Sequence, residues 1–310
     1  MKPIIIGTRG SQLALYQAYK TKSELEAQFE NIEFQIKIIK TKGDKILDVA
    51  LSKIGDKGLF TKELEIELLD GNIDMAVHSL KDLPTAFPEK LALGAVLERA
   101  NFRDALVSVS GKKFAELDET DVIATSSLRR RAQLLKINPN FKIVDIRGNV
   151  NTRLQKMADG HCTAMVMAAA GLQRLNFDDK ISDILEPEVM IPAVAQGAIG
   201  IEIRENDERI LSLLQKVNHP ETALATSAER VFLRTLEGGC QVPVGAYTKI
   251  SEETIEIIGF ISGIDGQPFL TDSVRGKSED ADKLALELAE RFLARNAKEI
   301  LNEVRNSNLQ

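Results

Sequence analysis

Metal-ligating and disulfide-forming residues are scarce in this sequence: it has two cysteines, Cys162 and Cys240, and three scattered histidines. A single cysteine pair makes no disulfide framework and fits a reducing compartment, and so few ligands argue against a structural zinc site. Basic excess is missing too: 40 Lys and Arg against 46 Asp and Glu leave a net charge of -6. That balance argues against a general binder of nucleic acid or of membrane surfaces. No apolar run reaches the length of a membrane span, and residues 1–7 enter a strand pattern rather than a signal peptide, so a soluble cytoplasmic protein is expected. There is no Gly-x-x-x-x-Gly-Lys-Ser/Thr loop and no Gly-x-Gly-x-x-Gly after a strand, which makes nucleotides an unnatural ligand.

What the sequence has is length and rhythm. Its 310 residues, 44% of them apolar, suffice for two or three domains with substantial cores. Residues 4–6 read as a buried strand and 12–28 as a helix, so Arg9 and Ser11 fall at a strand end and a helix start, where open α/β sheets take anions. On that unit alone, a plain N-cap by Ser11 and a solvated Arg9 is the weightier reading. A strand over 34–39 follows. Residues 41–60 then lack a period and read as a long mobile loop carrying Lys53 and Lys57, before a helix over 61–69. A strand over 75–77 delivers His78, Ser79, Lys81 and Asp82 to its carboxyl end, ahead of Pro84. Adjacent Lys81 and Asp82 commonly mean a surface pair; in a cleft, the carboxylate can act as acid, base or partner to a developing cation.

After a strand over 91–97, the βα rhythm repeats with strands at 105–109, 122–124, 142–146 and 164–168, giving a second open α/β lobe with right-handed crossovers. A strand over 199–204 and a helix over 207–217 follow, and the residues alone leave open whether they return to the first lobe. Beyond His219-Pro220, a helix runs to Gly238, then strands at 244–247, 254–261 and 269–273 and a helix over 280–294. The expected fold is α/β: two lobes, 1–98 with 198–217 and 99–197, plus a small C-terminal α+β domain, 218–310.

Three arginine groups each follow a second-lobe strand: Thr125-Ser126-Ser127-Leu128-Arg129-Arg130-Arg131, then Arg147 to Arg153, then Gly171-Leu172-Gln173-Arg174. The ends of parallel strands line up along one edge, so these groups should converge. Arginine is disfavoured in a first helical turn by the macrodipole, so an anion is expected to offset the repulsion. Guanidinium suits carboxylate or phosphate, and several carboxylates on one ligand suit scattered arginines best. In the C-terminal part, a helix closes on Gly238-Gly239 and puts the Cys240 thiol on a turn before Pro243. By itself that cysteine is a bystander more often than a reactive group.

Taken in order, Thr8-Arg9-Gly10-Ser11, Lys57-Gly58-Leu59-Phe60-Thr61-Lys62-Glu63-Leu64, Ala76-Val77-His78-Ser79-Leu80-Lys81-Asp82-Leu83-Pro84, Thr125 to Arg130, Arg147-Gly148-Asn149-Val150, Pro192-Ala193-Val194-Ala195-Gln196-Gly197 and Leu236 to Pro243 resemble the porphobilinogen deaminases, or hydroxymethylbilane synthases, across almost the whole chain. The resemblance implies three domains, two of them like the lobes of periplasmic binding proteins. It also implies a monomer that condenses four porphobilinogen units head to tail on a dipyrromethane cofactor held by Cys240 through a thioether, releasing ammonia and finally hydroxymethylbilane. Asp82 matches the catalytic aspartate. Cofactor contacts fall on Lys81, Asp82, Thr125, Ser126, Ser127, Arg129, Arg130, Arg147 and Gly171. Substrate contacts fall on Arg9, Ser11, Phe60, Ser79, Arg147, Arg153, Arg174 and Gln196, with Lys53 and Lys57 in a covering loop. Gly10 and Asp56 depart from residues common in the family, and Cys162 lies outside every matching motif.

Overall fold

The computed structural model describes residues 2–45, 60–236 and 242–307. Among them run thirteen strands: β1 (Ile4–Thr8), β2 (Phe34–Ile38), β3 (Met75–Ser79), β4 (Leu91–Val96), β5 (Asp104–Ser108), β6 (Val122–Ala124), β7 (Lys142–Val144), β8 (Ala164–Ala168), β9 (Asp183–Leu185), β10 (Ile199–Arg204), β11 (Val244–Ser251), β12 (Thr254–Ser262) and β13 (Phe269–Lys277). They form two five-stranded sheets and one three-stranded sheet. The chain groups into two compact units, whose described residues are 2–45, 60–100 and 197–223 in the first and 101–196, 224–236 and 242–307 in the second.

The first unit holds a sheet of order β2-β1-β3-β10-β4. Strands β1, β2 and β3 are parallel, whereas β10 runs antiparallel to both β3 and β4. The segment left open by the sequence therefore returns to this sheet. Its Ile199, Ile201 and Ile203 are buried with Ile4, Ile6, Met75 and Val77 in one core. Within each strand these residues are two positions apart, which puts them on one face of the sheet. Helix Gln12–Gln28 lies where its spacing places it, and a helical turn at Lys42–Lys45 stands where no element was expected.

The second unit repeats the same topology in the order β7-β6-β8-β5-β9. This sheet is mixed rather than uniformly parallel: β5 runs antiparallel to β8 and β9. The three strands that precede the arginine groups, β7, β6 and β8, are nonetheless mutually parallel, so their carboxyl ends share an edge. The unit also contains the antiparallel sheet β11-β12-β13. Helices Pro220–Thr235 and Ala281–Leu293 supply it with Phe232 and Phe292, whose rings meet edge-on at 5.4 Å. At Gly259 of β12 a Cβ would stand 2.6 Å from Phe232 Cζ, so the absent side chain is what lets that ring lie on the sheet. A last helix, Ala297–Ser307, extends beyond the elements read from the sequence and buries Ala297, Ile300, Leu301 and Val304. No helix among the described residues is long and apolar enough to cross a membrane.

Candidate active site

In the first unit, β1 and β3 are neighbours whose carboxyl ends lie side by side. Ser11 caps helix Gln12–Gln28 by accepting a hydrogen bond from Ala14 N at 3.3 Å, as the simpler reading had it. Arg9 holds its guanidinium 4.2 Å from the centre of the Phe60 ring, a cation–π contact that draws two of the expected substrate residues together. Ser79 Oγ accepts from Gln17 Nε2 at 2.8 Å, which ties the end of β3 to the same helix. Lys81 and Asp82 follow in a 3-10 turn, Leu80–Asp82, anchored by Leu80 N to Ala198 O at 3.0 Å and closed by Leu83 N to Leu80 O at 3.2 Å. Buried Leu80 and Leu83 flank the turn and leave Asp82 exposed.

Behind that turn, His78 is buried with its Nε2 3.1 Å from Glu202 Oε2, an ion-pair distance without hydrogen-bond alignment. Glu65 stands nearby; burial raises its carboxyl above the usual carboxylate range, Thr61 opposes that, and the charge of Glu202 adds to it. No group of three His, Cys, Asp or Glu among the described residues is placed to hold a metal ion.

In the second unit the loop after β6 is built from hydroxyls. Thr125 N donates to Val144 O at 2.9 Å and Thr125 Oγ1 accepts from Ser127 N at 3.2 Å. Ser126 Oγ both donates to Ile146 O and accepts from Ile146 N at 2.9 Å, which pins the loops after β6 and β7 to each other. Ser127 caps helix Leu128–Ile137. Asn149 caps helix Val150–Ala158, and Arg153 Nε donates to Gly148 O at 2.8 Å. Gly171 lies in helix Ala169–Gln173, which ends on Arg174. The residues expected after β6, β7 and β8 thus sit at one sheet edge.

The countercharge for the first-turn arginines is internal. Arg129 and Arg130 are both buried, and both converge on Asp104, the first residue of β5, which is 0% exposed. Arg130 donates to Asp104 Oδ1 through Nε at 3.2 Å and Nη2 at 2.8 Å, and to Val166 O through Nη1 at 3.0 Å. Arg129 Nη2 stands 2.7 Å from Asp104 Oδ2, and its Nη1 donates to Ile191 O. Gln196 is buried and donates to Asp104 Oδ1 at 3.0 Å and to Phe102 O at 2.8 Å. Burial alone would raise Asp104; Arg129, Arg130 and Gln196 overcome it and hold the carboxyl at about 2. Burial lowers Arg129 to about 10, against the pull of Asp104. Sequence reasoning missed Asp104, because nothing in Asn101-Phe102-Arg103-Asp104 marks which of its charges turns inward.

Two guanidiniums against one carboxylate leave a surplus positive charge, and two buried donor atoms, Arg129 Nε and Arg147 Nη1, have no hydrogen-bond partner among the described residues. Buried N–H groups of this kind are costly unless an acceptor meets them. A group carrying several carboxylates fits that donor set. Cys240, Lys53 and Lys57 lie outside the described residues. Cys162 is buried, and loss of solvent raises its thiol to about 11, which suits a structural residue.

Residues 4–212 match the family model described as porphobilinogen deaminase, dipyromethane cofactor binding domain, and residues 223–294 match the one described as porphobilinogen deaminase, C-terminal domain. The chain belongs to the porphobilinogen deaminase family. It is 49% identical over 303 residues to the porphobilinogen deaminase of Geobacter metallireducens, covering 98% of this chain and 95% of that one. To the porphobilinogen deaminase of Chlorobium luteolum it is 47% identical over 310 residues, covering 99% of each. Among solved structures, the periplasmic VFT2 domain of Bordetella pertussis BvgS aligns with 69% of this chain and 86% of its own at a TM-score of 0.42 and 15% identity, too distant to bear on the reading. The cofactor-domain match takes in every described candidate residue of the two strand-end clusters, from Arg9 to Gln196.

Proposed function

We propose that the protein is a porphobilinogen deaminase: it condenses four porphobilinogen units head to tail, releases one ammonia per unit, and hydrolyses the linear product free as hydroxymethylbilane. A dipyrromethane, held through a thioether to Cys240, supplies the terminal pyrrole carbon to which units are added. The observation that carries this reading is the donor set of the second unit, with Arg129 Nε and Arg147 Nη1 buried and unmet among the described residues, in a chain of this family. Porphobilinogen carries an acetate and a propionate, so each addition brings carboxylates that such donors satisfy.

In this reading the residues divide by task. Asp82, held outward on its short turn, accepts pyrrole N–H groups and offsets the positive charge that develops on porphobilinogen as its aminomethyl nitrogen leaves. A fixed carboxylate serves because it is oriented before the charge appears. Lys81, Thr125, Ser126, Ser127, Arg129, Arg130, Arg147 and Gly171 hold the primer. Arg9, Ser11, Phe60, Ser79, Arg153, Arg174 and Gln196, with Arg147, receive substrate, and Lys53 and Lys57 belong to a covering loop. Three domains, 1–98 with 198–217, 99–197 and 218–310, divide this work in a monomer of the cytoplasm.

Intact mass of protein purified with ample porphobilinogen tests the assignment. The wild type is expected to carry the mass of two linked pyrrole units and Cys240→Ser none; an unmodified wild type, or a fully modified variant, would overturn it. Asp82→Ala is expected to keep its pyrrole mass yet lose at least about 100-fold in turnover, the scale of a positioned acid–base or charge-stabilising group. Normal ammonia release by that variant would remove Asp82 from the chemistry.

A further inference from the structure

We propose that Asp104 is a positioning residue for the primer site, orienting the arginine pair from behind; this rests on reading Arg129 and Arg130 as primer ligands. Asp104 makes no contact that requires a ligand. It is fully buried, and all three of its side-chain partners are site residues: Arg129, Arg130 and Gln196.

The geometry fixes each guanidinium from two sides. Arg130 is gripped by Asp104 through Nε and Nη2 and by Val166 O through Nη1, which sets the plane of the group. Arg129 is held by Asp104 through Nη2 and by Ile191 O through Nη1, which leaves the remaining Nε with no acceptor among the described residues. Gln133 accepts from Ile191 N at 2.7 Å and donates to Ile191 O at 3.0 Å, so that second anchor is itself immobilised. Without the carboxylate, two like charges would share a buried space and turn apart toward water. With it, the pair retains one surplus charge at a defined position. Asp104 thus sets both the orientation and the net charge that an incoming carboxylate meets.

Gln196 extends the arrangement. Its amide donates to both Asp104 Oδ1 and Phe102 O, so the two ends of the 101–196 segment of this unit are tied to each other beside that carboxylate.

The test follows primer loading rather than turnover. Full-length protein made in cells lacking porphobilinogen is incubated with porphobilinogen, and the loaded fraction is followed by intact mass and normalised to folded protein by circular dichroism. Asp104→Asn, which keeps the shape and removes the charge, and Asp104→Glu, which keeps the charge and moves it, are compared with Leu106→Ala. The last empties core volume on the same strand, opposite Val166, and leaves every polar group of the network in place. Both Asp104 variants are expected to load about tenfold or more slowly per folded molecule, the effect usual when a group that orients a ligand side chain is lost. Leu106→Ala is expected to melt lower and load at the wild-type rate. If Asp104→Asn does not fold, Asp104→Glu decides alone. Loading at the wild-type rate by a folded Asp104 variant overturns the proposal, as does equal slowing in Leu106→Ala at a matched melting temperature. A wild type that gains no pyrrole mass removes the primer reading and this role together.

Discussion

At Asp104, one buried carboxylate serves two arginines, and its acid response follows. The folded protein holds this group at about 2 against an ordinary 3.8, so on acidification the unfolded chain takes the proton first. Its contribution is therefore complete above about pH 4 and is lost as the pH falls toward 2, amounting to about 2 kcal/mol on linkage arithmetic. Urea unfolding between pH 5 and 2 should show a steep loss in the wild type and a shallower one in a folded Asp104→Asn protein. An identical slope in both would show that other carboxylates govern acid unfolding. The sequence made the arginines legible as a group but not their partner. Helix-capping residues such as Ser11 and Ser127 bond three positions ahead, within reach of local pattern reading. Asp104 meets Arg130 across 26 positions, and no spacing rule spans that interval.

Among the elements, strands and helices with strong periods lie close to where the residues place them: Gln12–Gln28, Val122–Ala124, Ala164–Ala168 and Ile199–Arg204. The differences have physical causes. Strand β13 runs on to Lys277 because pairing with β12 continues through Gly276 and Lys277, residues that carry no apolar signal. β9 is three residues long and owes its form to Asp104, Ala105 and Leu106 of β5. Close approach between elements is equally invisible in one dimension. Gly245 of β11 packs where a Cβ would lie 2.5 Å from Pro192 O, 2.7 Å from Phe260 Cε1 and 3.1 Å from Arg129 Cδ. Gly245→Ala should therefore cost about 1–3 kcal/mol by overpacking and also slow primer loading by displacing Arg129. Thermal unfolding and intact mass check both. A wild-type melting temperature would show that the backbone yields at no cost.

For the molecule as a whole, the second unit is the one that depends on the C-terminal sheet. Buried Glu229, on helix Pro220–Thr235, accepts hydrogen bonds from Ala195 N at 2.7 Å and Thr248 N at 3.1 Å, joining the segment before Gln196 to β11. A chain shortened to residues 1–223 loses that acceptor and bares the surface against which Gly245 and Gly266 pack, so it should accumulate as insoluble protein. A soluble, cooperatively melting fragment would show that the remaining sheets stand alone. The order β2-β1-β3-β10-β4 also bears on how the protein is made. A ribosome delivers β3 and β4 long before the strand that belongs between them, and both wait with open hydrogen-bonding edges while residues 101–196 emerge. The second five-stranded sheet draws only on β5 to β9 and can close as soon as they are out. The lobe synthesised later is thus the first to finish, and the nascent first sheet is the part of the chain most in need of a chaperone.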